Sequence, residues 1–217
     1  MDAGQTRERL LQAAEVLYAE QGFEATSMRD LTTAAGTNLA AVNYHFGSKR
    51  ALLMELCRQR IVPINAERLE RLEKARIRAN GAPVPLTDII EAFLRPVGKH
   101  AQQDGRPNIV FLRMVGRIMT ESDDFLDEMV STFFVNLAEA FITELARTLP
   151  DLSHKELGWR FHFCISTMLG SLTQHHRLDR NGYGALDHDD IDGMIDRLRD
   201  FIVGGIQAPV TTEKALT

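Results

Sequence analysis

The sequence predicts an all-α fold that begins with a helix-turn-helix motif, on three observations. Apolar residues recur at helical spacing along most of the chain, and no stretch alternates between apolar and polar residues as a half-buried strand does. Residues 26–49 hold two short helical patterns, each with its own start signal. A tight turn around Gly36 separates them. Two short helices joined by such a turn are typical of helix-turn-helix proteins, whose second helix enters the DNA major groove.

The composition indicates a globular protein, and its charge is compatible with a nucleic-acid partner but does not argue for one. The chain has 217 residues, of which 44% are hydrophobic, enough for one or two buried cores. The net charge is −5, and residues 1–60 contain seven basic and seven acidic residues, so the negative balance falls on the remainder. Cys57 and Cys164 lack the paired spacing of a zinc site or a disulfide framework. With no signal peptide and no membrane-spanning run in the sequence, a soluble cytoplasmic protein is expected.

The first three predicted helices have recognisable ends. The first spans 5–21 and ends at Gly22, a residue suited to the position after a helix. Ser27 and Asn38 are the predicted N-caps of the next two, because their side-chain oxygens can accept hydrogen bonds from free N–H groups. Asp30 follows Ser27 at close to the spacing of a capping box. The apolar stripe of the first helix consists of Leu10, Leu11, Ala14, Leu17 and Tyr18.

The remaining helices follow from caps, prolines and apolar periodicity. Ser48 caps the fourth helix, and Pro63 predicts a kink or break near residues 61–62. Residues 80–86 form the clearest loop. Further helices are predicted over 87–103, 109–121, 123–148, 154–177 and 188–205. The sequence predicts a helix-turn-helix domain at 1–50, a second helical domain at 51–207 and a disordered tail at 208–217.

The second helix of the motif has an apolar side and a polar side. Leu39, Val42 and Phe46 recur at i, i+3 and i+7 and are predicted to face the other helices. On the opposite side Asn43 can pair with adenine, and Ala40 can contact a thymine methyl group. Residues suited to phosphate contacts are Tyr44, His45, Ser48 and Lys49. The alternative is a helical hairpin whose polar residues are only solvated, and these patterns leave both interpretations open.

Short segments within residues 6–53 follow one another in the order of a known family. They are Thr6-Arg7-Glu8-Arg9-Leu10-Leu11, Gly22-Phe23, Thr26-Ser27-Met28-Arg29-Asp30-Leu31, Ala34-Ala35-Gly36, Tyr44-His45-Phe46-Gly47-Ser48-Lys49 and Ala51-Leu52-Leu53. On these segments the chain resembles the TetR family of bacterial regulators. The resemblance implies a homodimeric repressor with a three-helix DNA-binding domain and a helical ligand-sensing domain. The candidate DNA-binding residues are Ser27, Arg29, Thr37, Asn38, Ala40, Asn43, Tyr44, His45 and Lys49.

Two positions depart from the family pattern, and a second similarity is narrower. Thr37 replaces a common aliphatic residue, and Asn43 stands where an aromatic residue is frequent, so the operator sequence cannot be carried over. Residues 38–49, Pro63, Ala66-Glu67-Arg68 and Trp159-Arg160-Phe161-His162-Phe163 resemble a branch that includes regulators of fatty-acid metabolism. That resemblance implies no cofactor but a small apolar effector such as a fatty acid or an acyl-CoA.

A segment in the second domain is a candidate for effector binding. Residues 109–119 are apolar on nearly every side, which predicts a helix enclosed by protein. Arg113 and Arg117 could extend to solvent, pair with Glu121, or bind the carboxylate or phosphate of an acyl ligand. His162 is expected to be a buried core residue or to line the pocket. The candidate ligand-binding residues are Phe111, Arg113, Met114, Arg117, Phe134, Phe141, His162 and Phe163.

The last two long helices, 154–177 and 188–205, are the candidates for dimerisation. By the resemblance, such a pair packs against its twin as a four-helix interface. Small residues that allow close approach are Gly170 and Ser171, followed by Leu172. The apolar stripe of the final helix is Ile191, Met194, Ile195, Leu198, Phe201 and Ile202.

A helical calcium- or small-molecule-binding protein without DNA binding is the alternative. Asp179 to Asp190 is a twelve-residue loop in which Asp179, Asn181, Gly184, Leu186 and Asp187 fall at positions 1, 3, 6, 8 and 9 of a calcium-loop pattern. Tyr183 occupies a ligand position and Asp190 replaces the bidentate glutamate, so no metal site is predicted. The sequence contains no nucleophile elbow, P-loop or dinucleotide fingerprint, and an enzyme is not expected.

Overall fold

The computed structural model describes residues 3–103, 106–118, 121, 123–174 and 190–210. The helices are α1 Ala3–Gln21, α2 Met28–Ala34, α3 Leu39–Phe46, α4 Lys49–Ala79, α5 Leu86–His100, α6 Ile109–Ile118, α7 Asp123–Phe133, α8 Val135–Thr148, α9 His154–Gln174 and α10 Ile191–Gln207. The all-α prediction is confirmed. One two-residue antiparallel pairing interrupts it, between β1 Gln102–Gln103 and β2 Arg106–Pro107.

The first three helices pack into a small domain against the start of α4. Leu10, Ala35 and Val42 form its inner cluster, and the opposite side of α1 joins the large core through residues such as Leu11 and Tyr18. The helix ends at Gln21, and Gly22 has a φ of +87°. This agrees with the predicted helix end.

Helix α4 connects the two halves of the molecule without interruption. The predicted break near Pro63 is absent from this helix, which runs for 31 residues through the proline. Proline removes one backbone donor, but Pro63 and Gln59 are both exposed, so water can satisfy the carbonyl left free. The helix ends at Asn80, whose φ of 45° lies in the left-handed region.

The helix predicted over 123–148 is two helices. They are bent by 62° relative to each other, and Phe134 lies between them. The Nδ2 of Asn65 on α4 donates a hydrogen bond to the carbonyl of Phe133, 2.8 Å away, which anchors the bend to α4. Among the described residues no single helix is long and apolar enough to cross a membrane, and α7 with α8 meets that test only as a bent pair.

The larger core lies between α4, α5, α8, α9 and α10. The rings of Phe93, Phe141 and Phe161 meet there, with centroids 5.1 to 6.2 Å apart. Helix α10 packs closely on α5, where a Cβ on Gly98 would lie 2.7 Å from a side-chain carbon of Ile195. Most of the α10 stripe predicted for dimerisation is therefore core of the protomer. The buried residues of that stripe are Ile191, Ile195, Leu198 and Ile202.

Several other expectations need correction. Helix α6 is enclosed on one side only, because Val110, Arg113 and Arg117 are exposed while the apolar side packs on α1 and α9. Of the proposed calcium loop only Asp190 is described, and its carboxylate caps α10 by accepting from the backbone N–H of Gly193 at 2.7 Å. Residues 179–189 of that loop and 211–217 of the predicted tail lie outside the described residues.

Candidate DNA-binding surface and sensor core

Both predicted caps of the helix-turn-helix are formed. The Ser27 hydroxyl accepts from the Asp30 backbone N–H at 3.1 Å, and the Asp30 carboxylate accepts from the Ser27 N–H at 2.9 Å. The Ser27 hydroxyl also donates to the Asp30 carboxylate, and this bond and that from the Ser27 backbone N–H lower the pKa of the Asp30 carboxyl. The Asn38 side-chain oxygen accepts from the Ala41 N–H at 3.0 Å. The starts of α2 and α3 are thus fixed by groups three residues apart in sequence.

An arginine that was not predicted to have a role holds the turn between α2 and α3. Gly36 takes a φ of +58°, and the Arg9 guanidinium donates to its carbonyl at 2.9 Å and to the carbonyl of Ala35. A Cβ on Gly36 would lie 2.5 Å from Arg9 Nη2. No local signal marks Arg9 for this contact, since 26 or more residues separate it from the turn.

Helix α3 presents a mostly polar outer face. Val42 is fully buried, whereas Ala40 and Asn43 are exposed and Tyr44 is 81% exposed. The prediction that Leu39 belongs to the inner face is wrong, because this residue is 52% exposed at the start of the helix. The i, i+3 spacing of Leu39 and Val42 predicts burial of both, but only Val42 is covered by the neighbouring helices.

Most basic side chains of the small domain are used internally. The Lys49 ammonium donates to the carbonyls of Phe23 and Thr26 at 2.8 and 3.0 Å, and lies 4.2 Å from the Phe23 ring centroid. It therefore closes the connection between α1 and α2. Arg29 is exposed, and its guanidinium has no hydrogen bond or ion pair within the described part of the chain. Arg29 is thus available for an external anion.

Helices α6 and α7 contact the small domain directly. The ring of Phe125 stacks on Phe23 with centroids 6.3 Å apart. The Arg50 side chain donates to the Glu128 carboxylate at 2.8 Å and to the Asp124 carbonyl at 3.1 Å. The Glu121 carboxylate accepts from the Phe23 N–H at 3.3 Å, and Arg117 donates to the carbonyl of Glu20 at 3.4 Å. A movement of α7 would thus change the contacts at the base of the helix-turn-helix.

The predicted ligand-binding residues differ in their exposure. Phe111, Met114 and Phe141 are buried, and Phe134 is partly buried. The exposed members of the set are Arg113, Arg117, His162 and Phe163. The expectation that His162 is a buried core residue is therefore wrong. Helix α9 turns Phe161, Cys164 and Met168 to the core and 162–163 outward.

The larger core contains a buried charge that the sequence patterns do not predict. Arg68 on α4 is 3% exposed, and its guanidinium lies 4.0 Å from the Phe93 ring centroid. It donates to the Phe93 carbonyl at 2.8 Å, to Asn65 Oδ1 at 3.1 Å and to Met168 Sδ at 3.4 Å. Within the described residues no carboxylate pairs with it. Only the resemblance to Ala66-Glu67-Arg68 touched this position.

Burial shifts the titration of the groups around Arg68. Desolvation lowers the pKa of the Arg68 guanidinium to about 9, so it is still charged at neutral pH. Burial also raises the pKa of the neighbouring Cys164 thiol to about 12. Cys164 is therefore neutral and supplies no counter-charge. A buried ion without a counter-charge costs several kcal/mol, and among the described residues Arg68 lacks one.

A groove of about 600 Å³ lies between α4 and α5. Its walls include paired charges such as Glu67 with Arg71 and Arg78 with Asp88. None of the predicted ligand-binding residues lines it. The groove has the character of a solvated, ion-paired surface.

The outer sides of α9 and α10 carry exposed aromatic residues. Phe163 is 57% exposed and Phe201 is 71% exposed, and the Trp159 ring lies 5.8 Å from that of Phe163. A Cβ on Gly170 or Gly204 would meet no other atom within 4 Å. This face therefore combines large apolar side chains with open space beside the helix backbone.

Two family models match the chain. The model described as "Tetracyclin repressor-like, C-terminal domain" matches residues 91–205, which is more than half of the chain. The model described as "Bacterial regulatory proteins, tetR family" matches residues 10–56. The chain belongs to the TetR family. The resemblance seen in the sequence is thereby confirmed, and TetR-family proteins and the relatives below are transcriptional regulators, not enzymes.

Individual relatives are more distant. The HTH-type transcriptional repressor KstR2 of Mycobacterium tuberculosis is 36% identical over 84 residues, which cover 33% of this chain and 42% of KstR2. The chain thus matches less than half the length of this relative. The TetR-family regulator PfmR of Thermus thermophilus has a TM-score of 0.60 at 21% identity, over 92% of this chain and all of PfmR. The fatty acid degradation regulator FadR of Bacillus halodurans has a TM-score of 0.64 at 14% identity, over 94% of this chain and 97% of FadR. At these identities the structures show a common fold.

Proposed function

We propose that this TetR-family regulator is a repressor that binds a palindromic operator as a homodimer and leaves it when a small, largely apolar effector binds. The observation that carries the proposal is the geometry of α3, whose exposed Asn43 and Tyr44 stand beyond a turn fixed by caps on both sides. A rigid helix with an exposed polar face is what major-groove recognition requires.

The DNA contacts fall into two groups. Asn43 reads a base edge, with Ala40 and the exposed Leu39 available for a thymine methyl group. The residues assigned to phosphates and to the entry of the groove are Ser27, Arg29, Thr37, Asn38, Tyr44 and His45. Lys49 acts mainly by closing the turn that supports α2, because its ammonium is engaged with two backbone carbonyls.

A second copy of the chain covers the aromatic face of α9 and α10. Trp159, Phe163 and Phe201 are large apolar side chains that are exposed in the protomer, and the rings of Trp159 and Phe163 lie together on α9. An interface of this kind is isologous, so each contact between aromatic residues is made twice, once from each copy. The resulting dimer would place two α3 helices about 34 Å apart, one turn of the double helix. The predicted α10 stripe contributes to it only through Phe201.

The effector acts inside the cell on the helical domain behind the DNA-binding domain. Residues 1–50 and 51–207 form the two functional parts, joined by α4 and by the contacts of α7 with Arg50 and Phe23. An effector that favours another arrangement of these contacts lowers operator affinity by its own preference for that arrangement.

Selection from a randomised DNA library tests the proposal directly. Purified full-length protein is expected to enrich a palindrome, and the enriched DNA is expected to bind with an affinity that falls as salt rises. DNA from upstream of the protein's own gene serves as a candidate operator, and a scrambled duplex of the same composition is the control. Enrichment of no sequence, or binding without salt dependence, would contradict the proposal.

A further inference from the structure

Arg68 is a buried cation whose hydrogen-bonding capacity is only partly used. A guanidinium carries five N–H donors in one planar fork. Three of them are engaged, by the Phe93 carbonyl, Asn65 Oδ1 and Met168 Sδ, and the last of these acceptors is weak. Five less three leaves two donors, one on each terminal nitrogen, without an acceptor among the described residues. A pair of free donors on adjacent nitrogens matches the two oxygens of a carboxylate.

The surroundings of Arg68 suit an apolar molecule. The guanidinium lies over Phe93, whose ring meets those of Phe141 and Phe161. Met168 is in contact from α9, and an unbranched thioether side chain adapts readily to a changed neighbour. Three aromatic rings and a methionine beside one unpaired cation are complementary to a small apolar acid.

We propose that the effector of this regulator is an apolar monocarboxylate, whose carboxylate binds Arg68 and whose hydrocarbon or aromatic body lies among Phe93, Phe141 and Phe161. This inference rests on the proposed function only in taking the helical domain to receive an effector. The carboxylate supplies the missing counter-charge, so the site selects acids over alcohols or esters of the same size. In the unliganded protein the three rings close on one another, and the ligand separates them.

The position of Arg68 explains how such a ligand would reach the DNA-binding domain. Asn65 accepts from Arg68 and donates to the Phe133 carbonyl at the bend before α8. Helix α7, which ends at Phe133, carries the Glu128 that pairs with Arg50. A carboxylate that binds the two remaining donors would shift the guanidinium to which Asn65 is hydrogen-bonded, and would therefore act on the helix that contacts the base of the helix-turn-helix.

Calorimetry with matched acid and alcohol pairs tests the site without DNA. Octanoate is compared with octan-1-ol, and 4-phenylbutanoate with 4-phenylbutan-1-ol, on the full-length wild-type protein. At least one acid of the panel is expected to bind about tenfold or more tightly than its alcohol, the size of effect given by a charge-assisted bidentate contact. Equal affinities for acid and alcohol in both pairs, including no binding by either, would overturn the proposal. This part needs no variant.

Two variants assign the preference to Arg68. Arg68→Gln is expected to reduce the preference for the acid to about threefold or less, since it keeps hydrogen bonding but removes the charge. Arg71→Gln, one turn further along α4 and paired with Glu67 at the surface, is the matched control and is expected to keep the full preference. Retention of the preference in a folded Arg68→Gln protein would overturn the assignment. Operator binding without ligand is measured separately, so its failure would contradict the repressor proposal and not the acid site.

Discussion

The helix-turn-helix and the sensor core use polar side chains in opposite ways. In the helix-turn-helix, Ser27 and Asn38 satisfy backbone N–H groups three residues away, so the starts of its two helices are set locally. In the core, Arg68 meets groups 25 and 100 residues away and lacks a counter-charge among the described residues. Local saturation gives a rigid DNA-binding unit, whereas a non-local and incomplete set of contacts leaves the core able to change its partners.

Disruption of the proposed dimer is expected to have the largest effect on operator binding. Phe163→Glu places two buried charges in the proposed interface, one from each copy, and leaves the core of the protomer intact because Phe163 is exposed in it. We expect a monomer by light scattering and a loss of operator affinity of about a hundredfold or more, since one half-site contact is lost. Ile77→Glu, on the exposed side of α4, is the control and should remain dimeric. A dimeric Phe163→Glu protein would place the interface elsewhere.

Truncation of Asn43, the residue proposed to contact a base, tests whether the helix-turn-helix recognises a DNA sequence. Asn43→Ala is expected to weaken binding to the selected operator by about 1–3 kcal/mol while leaving affinity for unrelated DNA unchanged. Competition titrations with operator and random duplexes measure both quantities. Gln12→Ala, an exposed amide on α1, should change neither. An equal loss on both duplexes would instead make Asn43 a backbone contact.

Substitution of Gly36 is expected to destabilise the turn between α2 and α3. Gly36→Ala forces a side chain into positive φ and displaces Arg9, which is expected to cost about 1–3 kcal/mol of stability in urea denaturation. In an Arg9→Met background the same substitution should cost less, because there is no guanidinium to displace. Identical costs in the two backgrounds would show that Arg9 does not hold the turn.

The smallest expected effect separates two cations of the DNA-binding domain. Arg29→Gln should lower the slope of log affinity against log salt by about one, as the loss of one phosphate contact does. Lys49→Gln should leave the slope unchanged and lower the melting temperature, because its two hydrogen bonds close the α1–α2 connection. A reduced slope for Lys49→Gln would instead indicate that Lys49 contacts a phosphate.

What the sequence predicts follows the same division. The caps at Ser27 and Asn38 were predictable because each needs only its own turn. The separate helices on either side of Phe134 were not, since the bend is anchored by Asn65, 68 residues away and far outside any local window. The burial of Leu39 was predicted wrongly for a related reason. Periodicity gives the angle of a residue around its helix but not which residues the neighbouring helices cover. The importance of Arg68 emerges only when the surrounding core is assembled.

The continuity of α4 has a mechanical consequence. Lys49 and Arg68 belong to one unbroken helix and are nineteen residues apart, a distance of about 28 Å at the usual helical rise. Such a helix is a lever arm. A tilt of about 5° at the Arg68 end carries the Lys49 end through about 2.5 Å, and across a twofold axis the two displacements add to about 5 Å. Set against two grooves one turn apart, a small opening of the core becomes a mismatch of spacing that the DNA cannot follow without bending.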